Sequence, residues 1–523
     1  MPFAQGGWVC GCRLVNVVVK FLGMTRSGIW RTKSVEQSIE DTDEPDTKLR
    51  KDLGTWDLIV FGVAVVVGAG IFTLAASTAG DRAGPSVSLA FVLAAIACGL
   101  AALCYAEFAS TVPVAGSAYT FSYATFGEFV AWIIGWDLVL EFAVGSAVVG
   151  KGWSQYLGQV LALVGLDVST AFPLGEFFTF DWGALLLVAI LTTLLAVGTK
   201  LSSRVSMVLT ILKVAIVLLV VAVGIGYVKA ENYSPFIPPA TEGAGGDGGL
   251  KQSLLSLFGG ESSSTFGIYG LLAAASLVFF AFIGFDVVAT TAEETRNPQR
   301  SLPRGILGSL AIVTVLYVAV SLVLTGMVKY TQLAERPDGT RATLATAFTE
   351  LGVTWAAAVI AVGALLGLTT VVMVLMLGQI RVLFAMSRDG LLPTSLAKTG
   401  RTGTPLRATL VVGALVATAA TFFPASELEE MVNIGTLFAF VLVSVGVVVL
   451  RRTRPDLPRA FRTPLVPLVP ILSVLACLWL MLNLTVETWL RFLIWMVLGL
   501  VVYAAYGRTH SRLGQRQRSG NST

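Results

Sequence analysis

Twelve stretches of this 523-residue chain are apolar over a length that can cross a lipid bilayer, which takes about 20 such residues. Only 13% of the residues are charged, whereas soluble domains carry about 25%. The stretches are residues 56–78, 85–109, 129–160, 182–199, 205–228, 268–291, 305–328, 354–386, 406–423, 431–450, 465–484 and 489–506. Inside a bilayer the backbone has to satisfy its own hydrogen bonds, so the sequence predicts an all-α polytopic membrane protein with twelve transmembrane helices.

The basic residues predict the orientation of these helices. With the N-terminus in the cytoplasm, 26 of the 36 lysines and arginines fall in cytoplasmic segments, 7 fall in external segments and three lie within spans. This distribution follows the positive-inside rule, and the densest run is RRTRPDLPRAFR, residues 451–462. The net charge of +4 therefore reflects topology, and the basic loop is suited to membrane lipid rather than to nucleic acid.

The spans divide the chain into segments, with both termini expected in the cytoplasm. The expected segments are a cytoplasmic N-terminal segment 1–55, a first group of five spans 56–228, an external loop 229–267, a second group of five spans 268–450, a basic cytoplasmic loop 451–464, two further spans within 465–506 and a cytoplasmic tail 507–523. The apolar run in residues 1–23 is interrupted by Lys20 and lacks the cleavage site of a secretory signal. We expect translation to start naturally at Met24, which would make residues 1–23 an upstream extension.

The residue types that hold metals or perform acid–base catalysis are scarce in this chain. The single histidine, His510, lies in the polar tail, and none of the five cysteines falls in an expected external loop. We therefore expect no cofactor, no metal site and no disulfide framework. The phosphate-binding pattern GxxxxGK[ST] does not occur, which argues against ATP-driven transport, and no nucleophile–base set indicates an enzyme.

Two of the spans contain glycine interruptions. Gly68 and Gly70 interrupt the first span within VVVGAGIF, residues 65–72, and Gly284 stands beside the acidic Asp286 in the sixth. Five spans separate the two interruptions, as in an inverted repeat with a binding site at the membrane midplane. The alternative is that these glycines only permit close helix packing.

A broken helix offers partners for an amino acid. Its ends present N–H groups with partial positive charge and C=O groups with partial negative charge. The first would receive a carboxylate and the second an ammonium group. The breaks are therefore predicted to bind the part that all amino acids share, with the side chain directed towards other helices.

Four ionisable residues within the predicted spans stand out, because a charge at the bilayer centre costs at least about 2.5–3.5 kcal/mol. Asp137, Glu141 and Lys151 are in the third span and Lys213 is in the fifth. From the helical rise of about 1.5 Å per residue, Lys213 and Glu141 are expected at a depth similar to that of Gly68–Gly70. Lys151 is expected near the outer end of its span, where it can reach the surface in a structural role.

Each of the two deeper residues has two possible roles. Lys213 could couple transport to proton movement, because a desolvated lysine releases its proton more easily, or it could be a static tie to the carbonyls of a broken helix. Glu141 could contact substrate or proton, or it could make a fixed hydrogen bond within the bundle.

Several motifs in consistent order carry a family resemblance over about residues 34–510. They are DTDEPDTKLRKDLGTWDLIVFGVAVVVGAGIF (41–72), GWDLVLEFAVG (135–145), FFAFIGFDVVATTAEETRNPQRSLPRGI (279–306) and GQIRVLFAMSRDGLLP (378–393). Together they resemble the cationic amino acid transporter family of the amino acid–polyamine–organocation superfamily. The resemblance implies a five-plus-five inverted repeat of the LeuT type, with discontinuous helices 1 and 6 and two further C-terminal helices. It also implies proton-coupled or exchange transport of amino acids without sodium, by alternating access.

The resemblance also assigns residues to the site. Val66, Ala69 and Gly70 fall on the substrate contacts of helix 1, beside Gly68 and Ile71. On helix 6, Phe280, Ala281 and Ile283, with Gly284, fall on substrate contacts, and Phe280 is the expected gate. Lys213 falls on a lysine that replaces sodium, Glu141 falls beside the pocket, and Met373 is predicted to limit the volume of the substrate side chain.

The substrate and coupling ion stay open at this point. A cationic or a neutral L-amino acid fits the resemblance, and the expected setting is the plasma membrane, without an identified protein partner. Sodium-coupled symport and a non-transporting amino acid sensor are the alternatives.

The loop after the sixth span is predicted to form an inner gate. Glu293, Glu294 and Arg296 lie there, and Arg388 and Asp389 after the eighth span are the expected ion-pair partners. The alternative is a solvated loop with exposed pairs of little energetic value.

Overall fold

The computed structural model describes residue 31 and residues 52–112, 117–174, 178–198, 203–241, 250–259, 265–334, 341–400 and 404–515. Most of the N-terminal segment, including the expected start at Met24, lies outside this range, as does the tail after residue 515.

The described part of the chain is predominantly helical. The α-helices, in chain order, are α1 (Thr55–Val66), α2 (Ala75–Thr78), α3 (Val87–Thr111), α4 (Ala118–Thr125), α5 (Glu128–Leu163), α6 (Trp182–Val197), α7 (Ser203–Gly224), α8 (Leu254–Gly259), α9 (Gly267–Val278), α10 (Val287–Thr290), α11 (Pro298–Met327), α12 (Leu344–Glu350), α13 (Thr354–Arg388), α14 (Leu406–Phe422), α15 (Ala425–Thr453), α16 (Leu468–Leu482), α17 (Val486–Val502) and α18 (Arg508–His510). Two short strands, β1 (Ala171–Pro173) and β2 (Thr179–Asp181), pair antiparallel between α5 and α6.

Eight helical segments of the described chain are long and apolar enough to cross a membrane. They are Gly70–Thr111, Glu128–Leu163, Met207–Tyr227, Gly267–Thr290, Pro298–Met327, Thr354–Arg388, Ala425–Thr453 and Val486–His510. Four shorter apolar helices, α1, α6, α14 and α16, accompany them. The prediction of a multi-pass membrane protein is thus supported, whereas twelve crossings and an inverted repeat stay predictions.

Helix α5 lies at the centre of the bundle and packs against α13, α15 and α6. Its residues from Leu138 to Trp153 are all buried, and Phe142 and Tyr156 are fully enclosed. Because both sides of α5 are covered, its polar residues point into protein rather than into lipid. This helix therefore carries Asp137 and Glu141 into the interior.

Towards its C-terminal end, α5 is tied to the β1–β2 hairpin. The Lys151 ammonium lies 3.7 Å from Asp181 Oδ2 and donates to Thr179 Oγ1 at 3.1 Å. Asp181 also accepts from Ser154 Oγ at 2.5 Å and caps α6 by accepting from the backbone N–H of Ala184 at 2.9 Å. Lys151 is only 8% exposed, so it is paired and buried rather than extended to the surface as expected.

Candidate functional site

The first predicted span leaves the helical conformation at its glycines. Helix α1 ends at Val66, Val67 is extended with ψ 91°, and the chain resumes as a π-helix over Gly70–Leu74. The carbonyl of Gly68 accepts from the N–H groups of Ile71 and Phe72, both at 3.3 Å. This leaves the last carbonyls of α1 without partners inside their own helix.

The sixth predicted span is interrupted in a comparable way. Helix α9 ends at Val278, and a 3₁₀ turn over Phe279–Phe282 follows. Ile283 is extended, and Gly284 has φ 114°, which glycine adopts without strain. The chain becomes α-helical again only at Val287, where α10 begins.

The two interruptions touch each other. A Cβ atom placed on Gly70 would lie 2.2 Å from Ala281 Cα, and one on Gly284 would lie 2.6 Å from a methyl carbon of Val65. These two glycines therefore serve the close approach of the two segments. Gly68 differs, because a Cβ atom there would meet its nearest neighbours, the methyl groups of Val371 and the carbonyl of Val65, at ordinary distances of 3.4 and 3.7 Å.

Side chains from other helices satisfy the freed carbonyls of the first break. Lys213 Nζ donates to the carbonyl of Ala64 at 2.7 Å, and the Tyr317 hydroxyl donates to that of Val66 at 2.6 Å. Lys213 is fully buried, with its stem against Gly367 of α13. This contact is the backbone tie that the sequence offered as one of two roles for Lys213. Tyr317 was missed, because a tyrosine in an apolar span has no distinctive pattern.

A second polar group lies at the other break. Glu141 is 2% exposed, and its carboxyl group lies close enough to those of Asp286 and Asp137 to interact with them electrostatically. One oxygen of Glu141, one of Asp286 and both of Asp137 have no hydrogen-bond partner within the described chain. Bound protons or a cationic group would supply the hydrogen-bond donors that these buried acceptors lack.

Lys213 and Glu141, which the sequence predicts at a similar depth, contact different parts of the structure. Lys213 lies at the end of α1, and no charged side chain of the described residues acts on it. Glu141 faces Asp286 at the second break instead. Helical rise gives depth along the membrane normal, but it says nothing about which helices are neighbours.

The remaining predicted substrate contacts are buried around the two breaks. Those less than a tenth exposed are Val66, Gly68, Ala69, Gly70, Ile71, Phe280, Ala281, Gly284 and Met373, and Ile283 is half-buried. On α13 the residue against Gly68 is Val371, which was not predicted. Residues two apart on a helix differ by about 200°, so Met373 faces away from the side that Val371 presents to Gly68.

The atoms between α5, the first break and α13 are mainly apolar. On α5, Gly152 faces the methyl group of Thr73, Ala69 of the break and Leu368 of α13. Two turns earlier, Gly145 faces Leu375 and Val432. An apolar side chain would find matching surroundings here, whereas a charged one would have to reach the carboxyl groups near Glu141.

An ion pair forms in the loop where the inner gate is predicted, but with a different partner. Glu294 Oε1 lies 2.7 Å from Nη2 of Arg381, two turns before the expected partner Arg388. Asp389 accepts from the Tyr119 hydroxyl at 2.7 Å, and the side chain of Glu293 lies outside the described part. For Glu294 the partner is thus Arg381 rather than Arg388, because the loop approaches an earlier turn of α13, and the gate itself stays a prediction.

The backbone strengthens this inner contact. The N–H groups of Asp52 and Leu53 both donate to the carbonyl of Glu294 at 3.0 Å, and Arg296 N–H donates to the carbonyl of Leu53 at 3.0 Å. The chain entering the first span is therefore joined to the chain leaving the sixth.

Comparison with known proteins places these features in a wider group. A family described as amino acid permease matches residues 53–505. The chain is 44% identical to the branched-chain amino acid permease BcaP of Bacillus subtilis, over 94% of this chain and 100% of that protein. It is 40% identical to the methylthioribose transporter of the same species, over 94% and 100% of the two chains. It is 36% identical to the vacuolar cationic amino acid transporter 4 of Arabidopsis thaliana, over 82% of this chain and 67% of that protein.

Proposed function

Because this chain belongs to the amino acid permease family, and is a membrane transporter rather than an enzyme, we propose that it binds its substrate at the two breaks. The observation that carries the proposal is the meeting of the interruptions at Gly70 and Ala281. At such a place half-helix ends can receive the carboxylate and ammonium of an amino acid. Transport then proceeds by alternating access of this site.

The proposed architecture is that of twelve crossings, with helices 1–5 and 6–10 forming an inverted repeat and two helices following. The matched positions of the breaks, in the first and sixth spans, support it. The distribution of basic residues supports cytoplasmic termini, and we propose the plasma membrane as the location.

The proposed substrates are neutral L-amino acids with apolar side chains. Val371 lies against Gly68 of the first break, Leu375 and Val432 lie against Gly145 of α5, and burying apolar surface among such side chains is favourable. The similarity to a branched-chain amino acid permease agrees with this chemistry.

A cationic amino acid is the second candidate. The unpartnered oxygens of Glu141 and Asp286 favour it, because a guanidinium or ammonium group would supply the donors they lack. Similarity to cationic amino acid transporters of Arabidopsis thaliana points the same way.

The proposed coupling is to protons or to exchange, independent of sodium. The carbonyl end of a half-helix attracts a cation, and at α1 the Lys213 ammonium already fills that role. A bound sodium ion is therefore not needed to neutralise this end.

Uptake by the purified protein in liposomes tests these proposals together. Leucine, isoleucine, valine, lysine, arginine and methylthioribose are offered under an imposed pH gradient and, separately, under an imposed sodium gradient. Accumulation of the branched amino acids driven by the pH gradient, or counterflow without any gradient, is expected. Uptake that needs sodium, or amino acid binding without counterflow, would refute the proposed mechanism, and preferred uptake of arginine would establish the second candidate.

A further inference from the structure

A side chain of α15 holds the end of α9. Nδ2 of Asn433 donates to the carbonyl of Ser276 at 2.8 Å and to that of Leu277 at 3.4 Å. Both carbonyls belong to the last turn of α9, directly before the second break, and that of Leu277 also accepts from the backbone N–H of Phe279. Asn433 is fully buried, and such hydrogen bonds are stronger in a desolvated interior.

This arrangement repeats the one at the first break. There Lys213 of α7 donates to the carbonyl of Ala64 in the last turn of α1. In both cases the donor lies on the fifth helix of a predicted group of five, and the acceptor lies on the first, interrupted helix of the same group. The donors differ, because a lysine can lose its proton whereas an amide keeps its N–H groups at every physiological pH.

Helix α15 also reaches an acidic residue of α5. Gly435, two residues after Asn433, lies against Asp137, because a Cβ atom placed on Gly435 would be 2.9 Å from Asp137 Oδ1. One turn of α15 therefore contacts both the end of α9 and a carboxyl group of α5.

We propose that Asn433 is a positioning residue for the substrate site. By holding the last turn of α9, it places the segment Phe279–Phe282 against Gly70 in the geometry that receives the substrate. The inference rests on the proposed binding of an amino acid at the two breaks. It differs from the role of Lys213 in being independent of proton movement.

Three variants of Asn433 and one control test the inference by leucine uptake into liposomes, with KM, maximal rate and pH profile measured for each. Asn433→Leu removes the donor at similar volume, Asn433→Gln keeps the amide, and Asn433→Asp keeps the shape but donates only when protonated. The control is Asn483→Leu, because Asn483 Nδ2 donates to the carbonyl of Trp479 within its own helix end.

Asn433→Leu is expected to raise KM about tenfold, as the loss of one buried hydrogen bond worth about 1.4 kcal/mol predicts. Its pH profile should stay that of the wild type. Asn433→Gln should recover part of the affinity. The KM of Asn433→Asp should fall towards the wild-type value as the pH is lowered. The control Asn483→Leu should have the KM of the wild type.

A wild-type KM in Asn433→Leu, or a KM of Asn433→Asp that does not change with pH, would overturn the inference. If Asn433→Leu is not recovered as monodisperse protein, the pH dependence of KM in the isosteric Asn433→Asp tests the inference instead. Absence of uptake and binding of every amino acid by the wild type would overturn the proposed function and this inference together. If the wild type takes up amino acids and the Asn433 variants have the same KM, the inference is overturned but the proposed function is not.

Discussion

The ammonium of Lys213 donates a hydrogen bond to the carbonyl of Ala64 across 2.7 Å, and both groups are buried where α1 ends. A carbonyl at a helix C-terminus has no partner in its own helix and carries partial negative charge. A single side chain therefore satisfies the backbone and neutralises the end of the half-helix. Under the proposed proton coupling, loss of the Lys213 proton would weaken this attraction and loosen the hold of α7 on α1.

Replacing Lys213 by alanine should separate binding from coupling. The carbonyl of Ala64 loses its partner, which should lower the free energy of unfolding by about 1–3 kcal/mol. Some leucine binding should persist, because the two breaks stay in contact, but uptake should no longer respond to a pH gradient. Thermal unfolding and pH-driven uptake in liposomes check this. Lys329→Ala is the control, since that lysine is exposed, and pH-driven uptake equal to wild type in Lys213→Ala would refute the coupling role.

Gly68 and Gly70 should respond differently to substitution by alanine. Gly70→Ala would place a methyl group 2.2 Å from Ala281 Cα, so the crossing segments must separate and the protein should lose stability, by about 1–3 kcal/mol for overpacking. Gly68→Ala meets Val371 at 3.4 Å and the Val65 carbonyl at 3.7 Å, both ordinary contacts, so it should fold normally but weaken substrate binding by filling space at the break. Melting temperature with and without leucine measures both effects. Unchanged leucine stabilisation in Gly68→Ala would remove Gly68 from the binding site.

The residue of α13 that limits the substrate side chain can be identified by paired substitutions. Val371 lies against Gly68, whereas Met373 is about 200° away around the helix. Val371→Ala should therefore raise the uptake of larger side chains such as phenylalanine relative to valine, and Met373→Ser should leave the profile unaltered. Competition of labelled leucine uptake by unlabelled amino acids gives the profile. A broader profile in Met373→Ser alone would restore the prediction made from the family resemblance.

The ion pair between Lys151 and Asp181 should matter for stability rather than for transport chemistry. Asp181→Ala removes the partner of Lys151, the acceptor of Ser154 Oγ and the cap of α6 together. It should destabilise the protein by about 3–5 kcal/mol, the range for breaking a buried pair, and Lys151→Met by less. Uptake normalised to folded protein should keep its KM in both variants. A KM shift in Lys151→Met would show that the hairpin also affects the site.

Much of the architecture follows from local patterns in the chain. Apolar length determines where helices form, because unpaired backbone groups are too costly in hydrocarbon. Glycines in an apolar run mark the two interruptions, since glycine weakens a helix and accepts the φ of 114° found at Gly284. The sequence by itself therefore determined the membrane class, the positions of the breaks and the presence of buried charges at Glu141 and Lys213.

Only the tertiary structure decided which of these residues meet. It assigned Lys213 to the carbonyl of Ala64, Glu141 to the neighbourhood of Asp286 and Glu294 to Arg381. It also showed that position 70 has no room for a side chain, because the backbone of Ala281 lies against it. The physical reason is that periodicity and hydropathy describe one helix at a time. The choice of neighbours depends on packing between helices that are far apart in the sequence, which no local pattern records.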